Sequence, residues 1–401
     1  MKNALILSGG GARAAYQVGV LKALAEILPE DAHNPFPIIC GTSAGAVNAL
    51  ALASNPEHFR QSVADLEQIW RNLTPGSIYR ADTPALLGGL ARLGASLFNE
   101  GVGRKRPLAL LDNAPLRMLI EKTVHFDNLE PAIQRGDLEA VCVTAMGYSS
   151  GESVSFFQGH PQLQGWRRHR RVGSPSQLNS DHLMASSAIP TVFPTVRINR
   201  EYFGDGALRQ LAPISPALHL GAERVFVVGV SGNRNPLRWG RRRPIRHSPS
   251  MAQIMGHMFN SAFIDSMESD IEHLDRINSL LALIPEQARQ AQNIHLRPVD
   301  SMIISPTEPL DRIAGRKIRY LSRSLRFFLR AVGATAKGGG ATAASYLLFT
   351  PQFCESLIEL GYRDTMWERE AIERFFAPQP QAEPSGSKFW NLARLRLSAS
   401  V

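Results

Sequence analysis

Short, wholly apolar runs alternate along the chain with longer stretches in which apolar residues recur every third or fourth position. This is the pattern of strands buried on both faces between amphipathic helices. Ala4-Leu5-Ile6-Leu7 is the first run; after Ser8-Gly9-Gly10-Gly11-Ala12-Arg13 the spacing turns helical from Ala14 to Leu28. Ile38-Ile39-Cys40 is the second, and it enters Gly41-Thr42-Ser43-Ala44-Gly45 and leaves as an Ala/Leu-rich helix reaching Ala53. Two strand-glycine-helix units in succession predict a parallel sheet whose glycine turns share the carboxyl edge, where open α/β sheets build their sites.

Farther along, His58 to Leu73 carries Phe59, Val63, Leu66, Ile69 and Trp70 at helical spacing and is expected to pack into the core. Leu86 to Phe98 is apolar and glycine-softened; it reads as an ordinary helix with small-residue contacts in preference to a flap over an acyl-chain pocket. Asp112-Asn113-Ala114-Pro115 marks a cap before a helix from Leu116 to Val124. Leu138 to Met146, Ser153 to Gln158, Val196 to Phe203 and Arg224 to Val230 read as further strands, whereas the basic run Trp166 to Arg171 reads as a solvated loop.

Composition shifts suggest four parts: 1–232 as a catalytic domain, a basic Pro/Arg-rich connector 233–249, a mostly helical region 250–376 and a disordered tail 377–401. Within the helical region, Ser250 to Leu283 is expected to be helical and Asn293 to Ile304 to add a strand. Arg312 to Val332 is expected to form one amphipathic helix, Gly338-Gly339-Gly340 a hinge, and Ala341 to Phe349, Pro351 to Leu360 and Arg363 to Phe376 three short helices.

The 401 residues, 44% of them hydrophobic, can bury a large core, and the net charge of +9 favours an anionic partner such as a phospholipid headgroup or a nucleic acid. No export signal or membrane-length apolar span is apparent. Cys40, Cys142 and Cys354 are odd in number and far apart, which suits buried free thiols in a cytoplasmic protein and neither a disulfide framework nor a metal site.

The candidate chemistry lies in three stretches. In Gly41-Thr42-Ser43-Ala44-Gly45, glycines let strand and helix approach around a strained turn that projects the Ser43 hydroxyl, and the following amides lie at a helix N-terminus. G-x-S-x-G alone also arises by chance. Gly9, Gly10 and Gly11 can offer bare amides to an oxyanion forming over Ser43. A dinucleotide site would want an acidic residue at the end of the second strand, where Cys40-Gly41-Thr42-Ser43 stands, and no Gly-Lys-Ser/Thr completes a phosphate loop. Asp205-Gly206-Ala207 puts a carboxylate on a glycine-relaxed turn at a strand end; alone, such a triplet is first of all a hairpin turn.

Together with Tyr16 to Leu21 and Ala185 to Pro194, these stretches resemble the patatin-like phospholipase family, in that family's order, over the first half of the chain. The resemblance implies a three-layer α/β/α fold with a mainly parallel central sheet. It implies Ser43 as nucleophile with Asp205 as its base in direct contact, Gly9, Gly10 and Gly11 with Arg13 beside them as the oxyanion-binding element, and no metal or cofactor. Gly41, Ala44 and Gly45 would shape the elbow. Ala14 stands where the family usually has the last glycine of the loop. His219, His247, His257, His273 and His295 follow Asp205, as a triad would require, but none lies in a glycine-flanked loop. The expected activity is lipid acyl hydrolysis of the phospholipase A or lysophospholipase type, on phospholipid or lysophospholipid, with no nucleic-acid partner. The alternatives are acyl transfer by the same dyad, or a catalytically silent basic protein that binds lipid or nucleic acid. Arg319, Arg323, Arg326 and Arg330 fall on one face of the Arg312 to Val332 stretch, opposite Leu321, Leu325, Phe328 and Val332. That arrangement gives a candidate peripheral contact with anionic membrane; the competing reading packs the apolar face inward, with the arginines in water.

Overall fold

Among the described residues ten strands form one sheet: β1 (Asn3–Leu7), β2 (Ile38–Thr42), β3 (Ala140–Gly147), β4 (Ser153–Gly159), β5 (Trp166–Arg168), β6 (Arg171–Pro175), β7 (Val196–Ile198), β8 (Glu201–Asp205), β9 (Arg224–Val228) and β10 (Asp300–Ile304). The computed structural model describes residues 1–30, 32–80, 82–98, 107–231, 251–261, 266–292, 296–331 and 341–377. The 233–249 connector, the Gly338-Gly339-Gly340 hinge and the tail after Ala377 lie outside the described residues.

The strand order is β10-β9-β1-β2-β3-β4-β6-β5, and the first five strands run parallel. Strict alternation divides their apolar residues between two cores. Ala4, Ile6, Ile38, Cys40, Val225 and Val227 enter one; Leu5, Leu7, Ile39, Phe226 and Val228 enter the other. The second core is covered by the helices Ala15–Ile27, Ala44–Ala53, Phe59–Arg71 and Pro351–Trp367, and the first by Ser215–His219 and Ser266–Ala282. The result is a three-layer α/β/α arrangement with a mostly parallel sheet. Because β1 and β2 are parallel neighbours with Leu7 opposite Gly41, both glycine turns leave the same edge.

The C-terminal region is built into this core. β10 pairs with β9, and the Pro351–Trp367 helix packs along Ala15–Ile27, where Asp364 accepts hydrogen bonds from the Tyr16 hydroxyl (3.1 Å) and the Thr307 hydroxyl (2.7 Å).

Three expectations are corrected. Trp166 to Arg171 is not a loop. It spans β5 and the start of β6, because Trp166 stacks between Phe157 (5.3 Å) and His219 (4.8 Å) and anchors β5, whose exposed residues are Arg167 and Arg168. Nor is Arg312 to Val332 one helix. Leu310–Lys317 ends in a tight turn, Ile318–Tyr320, and a new helix, Arg323–Ala331, starts where the Ser322 hydroxyl accepts the Leu325 amide (3.3 Å). Leu321 and Leu325 are both buried, so the chain bends inward between the arginines; Arg319 lies in the turn, Arg323 and Arg326 on the second helix, and the Arg330 side chain outside the described residues. Finally, Pro351–Trp367 runs unbroken through Gly361, whose backbone packs against the Tyr16 carbonyl.

Cys40 and Cys142 are register partners on β2 and β3, buried and unbridged like Cys354. Among the described residues no helix is long and apolar enough to cross a membrane.

Candidate active site

The register of β3 brings Ser43 and Asp205 together. Along one edge of β3, Thr144 pairs with Thr42, the last residue of β2, and the next residue, Ala145, pairs with Asp205, the last residue of the antiparallel strand β8. The two strands thus end head to head against one ruler. The Ser43 hydroxyl donates to Asp205 Oδ2 at 2.7 Å. Asp205 Oδ1 accepts the Ala207 amide at 3.0 Å, and the Asp205 amide donates to the Ala188 carbonyl at 3.0 Å. The carboxyl is fully buried. Desolvation raises its pKa from 3.8 to about 7, against the two hydrogen bonds, which favour the charged form.

Ser43 sits at φ 55°, ψ −130°, a conformation that costs a non-glycine residue on the order of 1–3 kcal/mol and that surrounding bonds must hold. They do so from both sides. Its amide donates to the Ser186 hydroxyl (2.8 Å), which donates to the Thr144 carbonyl (2.6 Å), while its carbonyl accepts the Ala46 amide (2.9 Å). Ala44 opens the Ala44–Ala53 helix. The approach is equally close at both glycines: at Gly45 a Cβ would run into the carbonyl oxygens of Leu7 and Ser8, and at Gly41 it would meet the backbone of Ala46.

On the neighbouring turn, Gly11 adopts φ +55° with its backbone against the Tyr346 carbonyl, and at Gly10 a Cβ would press on Val230. The amides of Gly9, Gly10 and Gly11 donate to no acceptor among the described residues. Behind them runs a buried polar chain: Trp70 Nε1 donates to Asn48 Oδ1 (2.8 Å), Asn48 Nδ2 to Gln17 Oε1 (2.9 Å), and Gln17 Nε2 to the Ser8 carbonyl (2.7 Å). Arg13 is engaged elsewhere: its Nε donates to Ser345 Oγ (2.7 Å), and its amide donates to the Gly10 carbonyl (3.1 Å).

Gly11, Ser43 and Ala44 form part of the wall of a cleft of about 610 Å³, counted out to its mouth. The remaining wall is almost wholly apolar, with Val47, Leu66, Trp70, Leu119, Phe193 and Phe349 among its residues. Such a groove suits a hydrocarbon chain, with Thr123 and Ser187 the polar side chains of the wall besides Ser43.

The sequence model of the family described as Patatin-like phospholipase matches residues 5–218. The chain belongs to that family. Its members are lipid ester hydrolases. A cGAMP-activated phospholipase of Pseudomonas aeruginosa is 26% identical over 321 residues, covering 76% of this chain and 84% of that protein. Among solved structures, VipD from Legionella pneumophila is 13% identical with a TM-score of 0.36, over 92% of this chain and 67% of that one. Human GIVD cytosolic phospholipase A2 is 13% identical with a TM-score of 0.41, over 94% of this chain and 60% of that one.

Several residues of this patatin-like site escaped the sequence reading. Ser186 lay in the Ala185 to Pro194 stretch, which entered only through the family resemblance, and its bond to the Ser43 amide joins residues 143 positions apart. Asn48 is a lone polar residue in the Ala/Leu-rich helix after the elbow, and that placement among apolar neighbours is the signal that could have found it. Among the described residues no histidine bonds to Ser43 or Asp205; His219 instead stacks on Trp166, and His182 bonds to Asn179 Oδ1 at 2.9 Å.

Proposed function

We propose that the chain hydrolyses phospholipid or lysophospholipid acyl esters through an acyl-enzyme on Ser43, with Asp205 as the base. The observation that carries this reading is the 2.7 Å hydrogen bond from the Ser43 hydroxyl to a buried carboxylate in the wall of an apolar cleft. The acyl chain enters the cleft and its ester carbonyl lies over Ser43. As Ser43 Oγ bonds to the carbonyl carbon, Asp205 Oδ2 takes the hydroxyl proton, and the negative charge moves to the carbonyl oxygen, which the amides of Gly10 and Gly11 receive. Collapse breaks the ester C–O bond, and Asp205 returns the proton to the leaving alcohol. Water then repeats both steps on the acyl-enzyme.

The test is turnover of a panel of phospholipids, lysophospholipids and p-nitrophenyl esters by wild type and Ser43→Ala, with and without cGAMP, for which the Pseudomonas relative is named. A fluorophosphonate should label wild type at Ser43 and leave Ser43→Ala unlabelled, and turnover should fall by about three orders of magnitude or more. Full activity in Ser43→Ala overturns the reading. Products formed with an added alcohol acceptor separate hydrolysis from acyl transfer.

A further inference from the structure

The family match ends at residue 218, yet helices far beyond it grip the glycine loop. Arg13, two residues after Gly11, is 3% exposed and has no ion pair among the described residues. Its donors go to neutral acceptors on two separate helices. Nε donates to Ser345 Oγ (2.7 Å) and Nη2 to the Thr342 carbonyl (3.5 Å), both on Ala341–Leu347, while Nη1 donates to Asn260 Oδ1 (3.4 Å) at the end of Met251–Asn260. The guanidinium lies over the Tyr346 ring, 4.2 Å from its centre, and the Tyr346 hydroxyl donates to the same Asn260 oxygen at 3.0 Å.

The same segment reaches the site at two more points. The Tyr346 carbonyl abuts Gly11, and Phe349 lines the cleft beside Ser43; between them, the Leu347 carbonyl accepts the Tyr79 hydroxyl at 2.7 Å.

A guanidinium buried with no carboxylate in direct contact, its nearest charged partner Asp311 acting only from a distance, is a costly way to fill space, and an apolar side chain of similar volume would pack at lower cost. What the guanidinium offers is a planar fork that fixes direction at several acceptors at once. Three successive glycines have no side chains with which to lock their own amides, and an oxyanion donor displaced by even one ångström loses most of its effect. The constraint must therefore come from outside the loop. We infer that the Ala341–Leu347 helix, latched to Arg13 together with Asn260, positions the Gly10 and Gly11 amides for oxyanion binding, so that a part of the chain beyond the family match is required for turnover. Arg13 is then a positioning residue. The inference rests on the acyl-enzyme reading of Ser43 given above.

The experiment uses the full chain and four single variants: Tyr346→Phe, Asn260→Ala, Arg13→Lys and the control Ser356→Ala, whose hydroxyl bonds within its own helix to the Gln352 carbonyl (2.9 Å). For each, kcat and KM on a p-nitrophenyl ester, the rate of fluorophosphonate labelling at Ser43 and the melting temperature are measured under conditions where wild type turns over. Asn260→Ala and Arg13→Lys should lower kcat about 10- to 100-fold with KM held within about twofold, and the labelling rate should fall in parallel, because the phosphoryl oxygen needs the same amides. Tyr346→Phe, which removes one oxygen and keeps the ring, should show the same split at about three- to tenfold. Ser356→Ala should match wild type. Folded variants with wild-type kcat, a loss confined to KM, or full activity in Arg13→Lys, which keeps the charge without the fork, would each overturn the positioning role while leaving Ser43 chemistry intact. A wild type that neither turns over nor labels would instead remove the acyl-enzyme reading, and this inference with it.

Discussion

Asp205→Asn is expected to make the fold more stable at alkaline pH while abolishing hydrolysis. The carboxyl is fully buried, and desolvation lifts its pKa from 3.8 to about 7 despite the hydrogen bonds from Ser43 and Ala207. The folded value is the higher one. Between the two values the folded chain therefore holds a proton that the unfolded chain has released, and the stability this group contributes, complete below the unfolded pKa, is lost as pH rises through the folded pKa. An amide stays neutral throughout. It can still accept the Ala207 amide through Oδ1 and donate to Ser43 Oγ through Nδ2, but the Ser43 hydroxyl proton loses its acceptor, a cost that does not vary with pH and cancels in a comparison between two pH values. From pH 5 to pH 8 the variant should gain on wild type by the about two units that separate pH 5 from the folded pKa, on the order of 3 kcal/mol. Urea or thermal melts of both proteins at the two pH values measure this directly, and kcat/KM of wild type should rise about tenfold per pH unit and level off above about pH 7 as the same group titrates. A variant-minus-wild-type difference that is the same at pH 5 and pH 8 refutes the argument that burial sets the protonation of Asp205.

Two further outcomes follow from the geometry. Ser186→Ala removes the hydroxyl joining the Ser43 amide to the Thr144 carbonyl and leaves both without that partner; it should cost about 1–3 kcal/mol in denaturant melts and reduce turnover, through a loosened elbow, more than it alters KM. Val47→Phe, one helical turn past Ser43 in the cleft wall, should shift preference toward shorter acyl chains across a p-nitrophenyl ester series, and an unchanged chain-length profile would show that the acyl chain does not run along this wall.

β1 and β2 were legible because each carries a short apolar run, Ala4 to Leu7 and Ile38 to Cys40, that leads into glycines, so local pattern and global position agree. The Gly9 to Arg13 and Gly41 to Gly45 stretches were legible for the same reason, and β1–β2 pairing sets them on one edge. β5 was missed because a single tryptophan holds it among arginines, and alternation needs more than one apolar residue to register. The break at Leu321-Ser322 was missed because helical spacing continues across it in sequence; only the burial of Leu321 and the Ser322 cap reveal that the chain turns. Arg13 was assigned to the glycine loop by resemblance. Its partners lie 247 to 332 positions away, on helices whose own sequences carry no sign of the contact.

A carboxylate with an ordinary pKa of 3.8 is a poor base toward a hydroxyl, which is why acyl transfer elsewhere so often enlists imidazole. At about 7, Asp205 matches the ~6.5 of free imidazole and is roughly a thousand times more basic than an exposed aspartate. On the proposed reading, burial performs the task a histidine would otherwise perform, and no third residue is needed to orient it. Orientation comes instead from β3, which fixes the end of β8 one position beyond the end of β2, and from the Ala207 amide, which holds the second carboxylate oxygen. An imidazole swings on a flexible side chain and needs a partner to hold its tautomer. A short aspartate at the end of a paired strand has little freedom to lose, so sheet register and one backbone amide can hold the base against the hydroxyl.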